Sequence, residues 1–271
     1  MNAHAFRAMG TEIEVFVQGV AGDCWDEVEE EFERLEQSMS RFRPDSELSR
    51  LNRDGRIVGS RSLVDVVTAA LEARESSGGL FDPTVHDAVV AAGYDRTFER
   101  LGESRARRHG AVPCGGEVAV TGSRIVLSPG VRLDLGGIAK GYAVDRAAEL
   151  LSGAGPCLVS AGGDVSVRGG AWPVGVETPD GTITLLLEEG GLATSGSDRR
   201  RWATEDGTAH HLIDPRTGAP AETDILRATV VAETTLRAEV LAKTAYLGGA
   251  VDAPRILVTV DGRTMVGGGL Q

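Results

Sequence analysis

Three short runs hold the residue types from which chemistry could be built. The first is Leu133-Asp134-Leu135-Gly136-Gly137-Ile138-Ala139-Lys140-Gly141-Tyr142. It reads as a strand delivering an acid, two glycines that let the backbone approach a ligand, and a helix start with free N–H groups. That arrangement suits a phosphate or a ribose, and Lys140 would bring a positive charge to the same place. The same residues also describe an ordinary tight strand-to-helix turn with a solvated lysine. The second run is Thr194-Ser195-Gly196-Ser197-Asp198, followed by His210-His211-Leu212-Ile213-Asp214-Pro215-Arg216-Thr217-Gly218. A histidine at a strand end, with an aspartate three residues on, could act as a general base or a phosphate contact. The alternative is one surface histidine and one hydrogen-bonded core histidine, ahead of a plain Asp-Pro-Arg-Thr-Gly turn. The third run is Ala238-Glu239-Val240-Leu241-Ala242-Lys243-Thr244. Glu239 and Lys243 share a helix face at i and i+4. They make either a surface ion pair, worth about 0.3–0.5 kcal/mol, or an active-site carboxylate with a charged neighbour. Local spacing does not choose between these.

Composition removes several classes of function. The 271 residues suffice for one large domain or two joined ones, and a 41% hydrophobic, 25% charged chain can bury a core. The net charge of −12 has the wrong sign for broad nucleic-acid binding and disfavours anionic membranes. Of the 28 basic residues only Lys140 and Lys243 are lysines. Cys24, Cys114 and Cys157 are far apart and form no CxxC pair, so neither a disulfide framework nor a zinc ribbon is expected. The chain lacks a P-loop, a GxSxG elbow and an HExxH motif. Met1 to Val17 has no secretory pattern and no lipobox cysteine, and no stretch approaches ~18 uncharged apolar residues. A soluble cytoplasmic protein without membrane insertion is the expectation.

These runs need elements to position them. Phe6 to Val17 alternates and reads as a half-buried first strand. Asp23 to Met39 reads as an acidic helix with Trp25, Val28, Phe32, Leu35 and Met39 on one stripe and Asp23 as its N-cap. Ser40 to Arg56 reads as polar loop. A helix begins at Ser62, its stripe Leu63, Val66, Val67, Ala70 and Leu71, and ends at Gly78-Gly79. Phe81-Asp82-Pro83-Thr84 opens a short helix capped by Asp82. Arg96 to Gly116 reads as surface loop. Glu117 to Leu127 reads as a hairpin turned at Thr121-Gly122-Ser123. Val131 to Leu135 reads as a strand before a helix over Ile138 to Leu151. Cys157 to Ser160 and Val165 to Arg168 flank a Gly162-Gly163 turn. Further strands are expected at Trp172–Glu177, Thr182–Leu187, Leu192–Ser195, His210–Asp214 and Thr229–Ala232. A helix over Leu236–Leu247 and a hairpin of Arg255–Asp261 with Thr264–Val266 close the chain. Strands outnumber helices and many join by hairpins. The fold class is therefore α+β, with mixed, largely antiparallel sheets and flanking helices. The whole of 1–271 is expected to form a single domain, or two intimately packed subdomains.

Taken jointly, the segments resemble the ApbE family of FAD:protein FMN transferases. The matching pieces run in order: Met9-Gly10-Thr11, Met39 to Ser49, Gly79 to Val85, Asp134 to Tyr142, Ser160 to Asp164, Thr194-Ser195-Gly196, His211 to Gly218 and Ala238 to Ala242. The resemblance implies a T-fold-like architecture and a reaction. FAD is cleaved at its pyrophosphate, FMN is joined to a threonine hydroxyl of an acceptor protein, and AMP leaves. It implies cofactor contacts at Met9, Phe42, Leu80, Phe81, Asp82, Asp134, Lys140 and Leu212, and a general base at His211. It implies magnesium beside the pyrophosphate, with ligands at Gly137 (through its backbone carbonyl) and Glu239, and further ligands where Ala242 and Lys243 stand. The same site passing FMN to water would be an FAD pyrophosphatase; without turnover it would be an FAD-binding protein.

Three positions depart from the family pattern. Phe42 stands where tyrosine is usual. Glu239 stands where the metal carboxylate is usually aspartate, and Lys243 where a threonine usually contacts the metal. An ammonium cannot be a ligand. Either a water fills the lost position, or Lys243 supplies a fixed charge that weakens or replaces magnesium.

Overall fold

The amino-terminal alternation folds as two strands, not as the single strand expected over Phe6–Val17. Asn2–Ala8 and Thr11–Val17 pair antiparallel around Met9 and Gly10. Both turn residues take positive φ, 50° and 69°, the hand that suits the right-handed twist of a two-residue hairpin. The Met9 N–H donates to Glu36 Oε2 at 2.9 Å. The computed structural model describes residues 1–19, 22, 24–101, 110–205 and 207–270. The expected cap Asp23 lies outside them, as do residues 102–109 of the expected loop.

The chain divides into two compact units. One draws its described residues from 1–36, 138–195 and 224–271. Its frame is an eight-stranded sheet, in the order Asn2–Ala8, Thr11–Val17, Cys157–Ala161, Asp164–Arg168, Gly190–Gly196, Ile225–Ala232, Arg255–Thr259, Thr264–Gly267. Alternation decides the faces: Ile13, Val15 and Val17 are buried, while Glu12 and Glu14 are exposed. A separate hairpin of Trp172–Thr178 and Gly181–Leu187 packs Trp172, Val174 and Val176 with Leu158 and Val167.

Two helices of this unit carry the first and third runs. Ala139–Leu151 buries Ala143, Val144, Ala147 and Leu151, and Thr235–Tyr246 buries Ala238, Val240, Ala242 and Tyr246. They approach closely at Gly141, where a Cβ would lie 2.8 Å from the Leu236 Cα and N and from the Thr235 carbonyl. Only glycine fits there. Asp145 fixes the second helix from the first: its Oδ1 accepts the Thr235 N–H at 3.0 Å and its Oδ2 the Leu236 N–H at 2.9 Å. The Thr234 hydroxyl accepts from the Arg237 N–H at 3.2 Å. A carboxylate there satisfies donors that the helix cannot and complements its dipole.

The second unit draws on 37–137 and 196–223. Ser40 to Arg56 is not all loop: Glu47–Asp54 is a helix and Arg56–Val58 a strand. Ser46 caps the helix from the Ser49 N–H, and Leu48 and Leu51 are its buried pair. The Arg61–Ser76 helix is capped by Ser60 and ends at Gly78 and Gly79. Asp82 caps a 3₁₀ turn at Pro83–Val85, which leads into the His86–Ala91 helix. A short helix, Phe98–Leu101, lies within the segment expected to be loop. Val118–Thr121, Arg124–Leu127 and Arg56–Val58 make a three-stranded sheet.

Val131–Leu135 is not a strand. The Leu133 N–H and carbonyl both bond the Asn52 side-chain amide, at 2.7 and 2.8 Å, and the Asp134 N–H donates to the Pro83 carbonyl at 2.8 Å. A side chain and a turn take the place of a ladder. His210–Asp214 also breaks: Gly207–His210 pairs with Arg201–Thr204, and Ile213–Asp214 with Ala219–Pro220. The core of this unit gathers Val85, Val89, Tyr94, Leu101, Trp202 and Ile213, with Phe42 packed against it. Among the described residues no helix is long and apolar enough to cross a membrane.

Candidate functional site

In the first unit, Lys140 and Glu239 come together from runs 99 residues apart. Lys140 lies in the first turn of its helix, and its ammonium donates to Glu239 Oε1 at 2.9 Å and to Asp164 Oδ2. The other Glu239 oxygen accepts the Gly141 N–H at 2.8 Å. Asp164 follows the Gly162-Gly163 turn, whose φ values of 62° and 108° favour glycine. The cluster is buried, with Glu239 5% and Lys243 7% exposed. Burial, opposed by Lys140 and aided by the Asp164 charge, pushes the Glu239 acid upward. A surface Glu239–Lys243 pair is thereby excluded. Asp164 carries the polar centre with Lys140 and Glu239; an acid after paired glycines was the signal in the sequence.

In the second unit the centre is Arg41. Its Nε meets Asp134 Oδ2 at 2.8 Å and its Nη1 donates to the Tyr94 carbonyl at 2.8 Å. The guanidinium lies 4.1 Å from the Phe42 ring centroid and 4.5 Å from that of Tyr94, the cation–π arrangement that favours arginine. The remaining nitrogen, Nη2, is buried with no hydrogen-bond partner. Asp134 Oδ1 accepts the Gly136 N–H at 2.7 Å, so the acid is held from both sides. Burial raises the Tyr94 phenol above its ordinary range.

Asp82 is committed to structure. Its Oδ1 accepts the Thr84 N–H and hydroxyl at 2.8 and 2.7 Å, and its Oδ2 lies 3.3 Å from Arg74 Nε. Phe81 is buried and Leu80 half-buried beside it. Met9 belongs to the first unit, Gly137 to the second.

The two histidines separate. His210 Nε2 donates to the Ala221 carbonyl at 3.0 Å and its Nδ1 accepts the Leu212 N–H at 3.3 Å. Both its ring nitrogens bind backbone. His211 is half-buried between two strand pairs, and Leu212 after it is buried. Asp214 is engaged by the arginine two residues on. Arg216 holds its carboxylate, with Nη2 to Oδ2 at 2.7 Å and its own N–H to Oδ1 at 2.9 Å. That hydrogen bonding holds the Asp214 acid below the usual carboxylate range.

The magnesium implied by the resemblance does not fit these residues. Gly137 and Ala242 offer only backbone carbonyls, Ala242 from within a helix, and Lys243 is an ammonium. Among the described residues no group of three His, Cys, Asp or Glu could hold a metal. Magnesium needs only one or two carboxylates beside substrate phosphates, so the state of Glu239 decides. Its two oxygens are already engaged by Lys140 and the Gly141 N–H.

Known proteins share this architecture. The ApbE family matches over residues 9–265. The FAD:protein FMN transferase of Treponema pallidum is 30% identical over 272 residues, covering 88% of this chain and 75% of that protein. The one from Salmonella typhimurium is 26% identical over 269 residues, covering 86% and 74%. The ApbE protein of Thermotoga maritima superposes with a TM-score of 0.81 at 25% identity, over 98% of this chain and 96% of that one. The flavin transferase ApbE from Vibrio cholerae shares the fold, with a TM-score of 0.79 at 23% identity over 98% and 97%. With nearly the whole length matched, as the ordered motifs implied, this chain belongs to the ApbE family.

Proposed function

We propose that this chain is an FAD:protein FMN transferase that moves FMN from FAD to a threonine hydroxyl of an acceptor protein. The family match over residues 9–265, with relatives of that name, carries the reading. The threonine oxygen attacks the phosphorus of the FMN half. The anhydride P–O bond breaks and AMP departs with the bridging oxygen. The hydroxyl proton passes to His211. His210 does not compete for that role, because its ring nitrogens hold the backbone. Lys140 supplies positive charge toward the phosphates, where fixed charge counts most as the transition state forms. Met9, Phe42, Leu80, Phe81, Asp82, Asp134 and Leu212 contact the dinucleotide. Asp134 is pre-positioned by Arg41 and Gly136. Asp82 and Leu212 hold their own turns, so they contact it through backbone edges. Action in the cytoplasm belongs to the same reading.

The test is incubation with FAD and a threonine-bearing acceptor, followed by flavin fluorescence of the separated acceptor. Labelled acceptor with equimolar AMP is expected, and His211→Ala should abolish labelling while FAD still binds. FMN and AMP in the absence of any labelled acceptor would mean hydrolysis instead. Intact bound FAD would overturn the enzymatic reading.

A further inference from the structure

The buried cluster of the first unit contains two acids and, on the helices that carry it, two lysines. Lys140 bridges Asp164 and Glu239. Lys243 lies one turn beyond Glu239 on the same helix face, 7% exposed. A helical side chain leans toward the amino-terminal turn, which for Lys243 is the turn bearing Glu239. The four formal charges sum to zero. A cluster with no net negative charge offers a dication no electrostatic gain to offset its dehydration. Both oxygens of Glu239 are also engaged, one by Lys140 and one by the Gly141 N–H. A metal would have to displace an ammonium and uncap a backbone donor.

We propose that Lys243 takes the place of a divalent cation in this chain. With Lys140, the Lys243 ammonium then balances the Asp164 and Glu239 carboxylates that would otherwise call for a metal, and turnover does not depend on magnesium. The inference rests on the transferase reading for its substrate, but its metal-binding half stands without turnover. It also accounts for the longer acid at 239. The extra methylene lets one carboxylate reach both the Lys140 ammonium and the backbone of the neighbouring helix. Coulomb repulsion gives the scale. An ammonium about 6 Å from a dication weakens its binding roughly tenfold even at the dielectric constant of water.

The decisive measurement is calorimetric titration of MgCl₂ into the intact chain, alone and saturated with FAD. The wild type should show no saturable magnesium binding up to about ten times the free concentration in cells, and Lys243→Thr should bind at least roughly tenfold more tightly. Labelling of acceptor by the wild type should be unchanged in EDTA. Saturable binding to the wild type within about twofold of Lys243→Thr would overturn the proposal, as would loss of labelling in EDTA restored by magnesium. The wild-type titration requires no variant to fold, and Lys243→Met gives a second neutral replacement of similar length. If no acceptor is labelled under any condition, the transferase reading fails, and the titration still decides whether Lys243 excludes the metal.

Discussion

Glu239 accepts the Gly141 N–H at 2.8 Å, so one carboxylate ties the start of one helix to the second turn of another. That bond exists because Gly141 has no side chain to hold the helices apart.

Gly141→Ala therefore strikes packing and site together. The added methyl would meet backbone at Leu236 and Thr235, which cannot rotate away. Overpacking of this kind costs about 1–3 kcal/mol. A fall in Tm of roughly 3–10 °C is expected by calorimetry, with weaker FAD binding. An unchanged Tm would show that the helices separate freely.

Arg41 is the next target. Its side chain is 8% exposed against 11% for Asp134, and removing one partner strands a buried charge at a cost of about 3–5 kcal/mol. Arg41→Met should lose that much in urea unfolding. Arg41→Lys should recover only part, since an ammonium neither forks to Asp134 and the Tyr94 carbonyl nor lies flat between two rings. Equal stability of the Lys variant and the wild type would refute the stacked-fork account.

Cys157 offers a test by alkylation. Burial pushes its thiol from 9.0 up to about 11, so it remains protonated at pH 8. Cys24 and Cys114, both half-buried, should react with iodoacetamide first, and Cys157 only on unfolding. The sign follows from linkage. The folded state holds this proton more tightly, so stability declines as pH rises between 9 and about 11. Cys157→Ala should remove that part of the alkaline decline.

Asp214 behaves in the opposite sense. Arg216 lowers its acid from 3.8, so the pair contributes stability above that value and loses it as pH falls through the lowered one. Arg216 is 60% exposed, which limits the effect of Arg216→Ala to about 0.2–1 kcal/mol at neutral pH. The difference from wild type should shrink below pH ~3.8 in paired thermal melts.

The helices were the legible part of the sequence. Arg61–Ser76 and Thr235–Tyr246 announce themselves by apolar spacing and hydroxyl caps. The hairpin at Met9 lay in a change of parity, from inward positions 4, 6 and 8 to inward positions 11, 13 and 15, which reading the segment as one strand from Phe6 overlooked. Glu47–Asp54 was hidden because only Leu48 and Leu51 face inward. Val131–Leu135 alternates like a strand, yet its bonds go to Asn52, which sequence periodicity cannot reveal. Lys140, Glu239 and Lys243 were each visible as chemistry. Their geometry was not, because Lys140 and Glu239 meet only after the chain has crossed the intervening sheet strands. The Asp214-Pro215-Arg216-Thr217-Gly218 turn was legible, but not that Arg216 reaches back to the Asp214 carboxylate.

The order of synthesis now acquires a meaning. The unit that holds Lys140 and Glu239 opens with the first hairpin of the chain and closes with its last, Thr264–Gly267, at opposite edges of one sheet. A nascent chain emerging from the ribosome exposes Asp145 and Gly141 long before Thr235–Tyr246 arrives to cover them. Unpaired strand edges are sticky in that interval. The far edge of the sheet must wait for the strands after residue 224, and a stop codon before residue 235 would leave Lys140 without Glu239, its partner on the Thr235–Tyr246 helix.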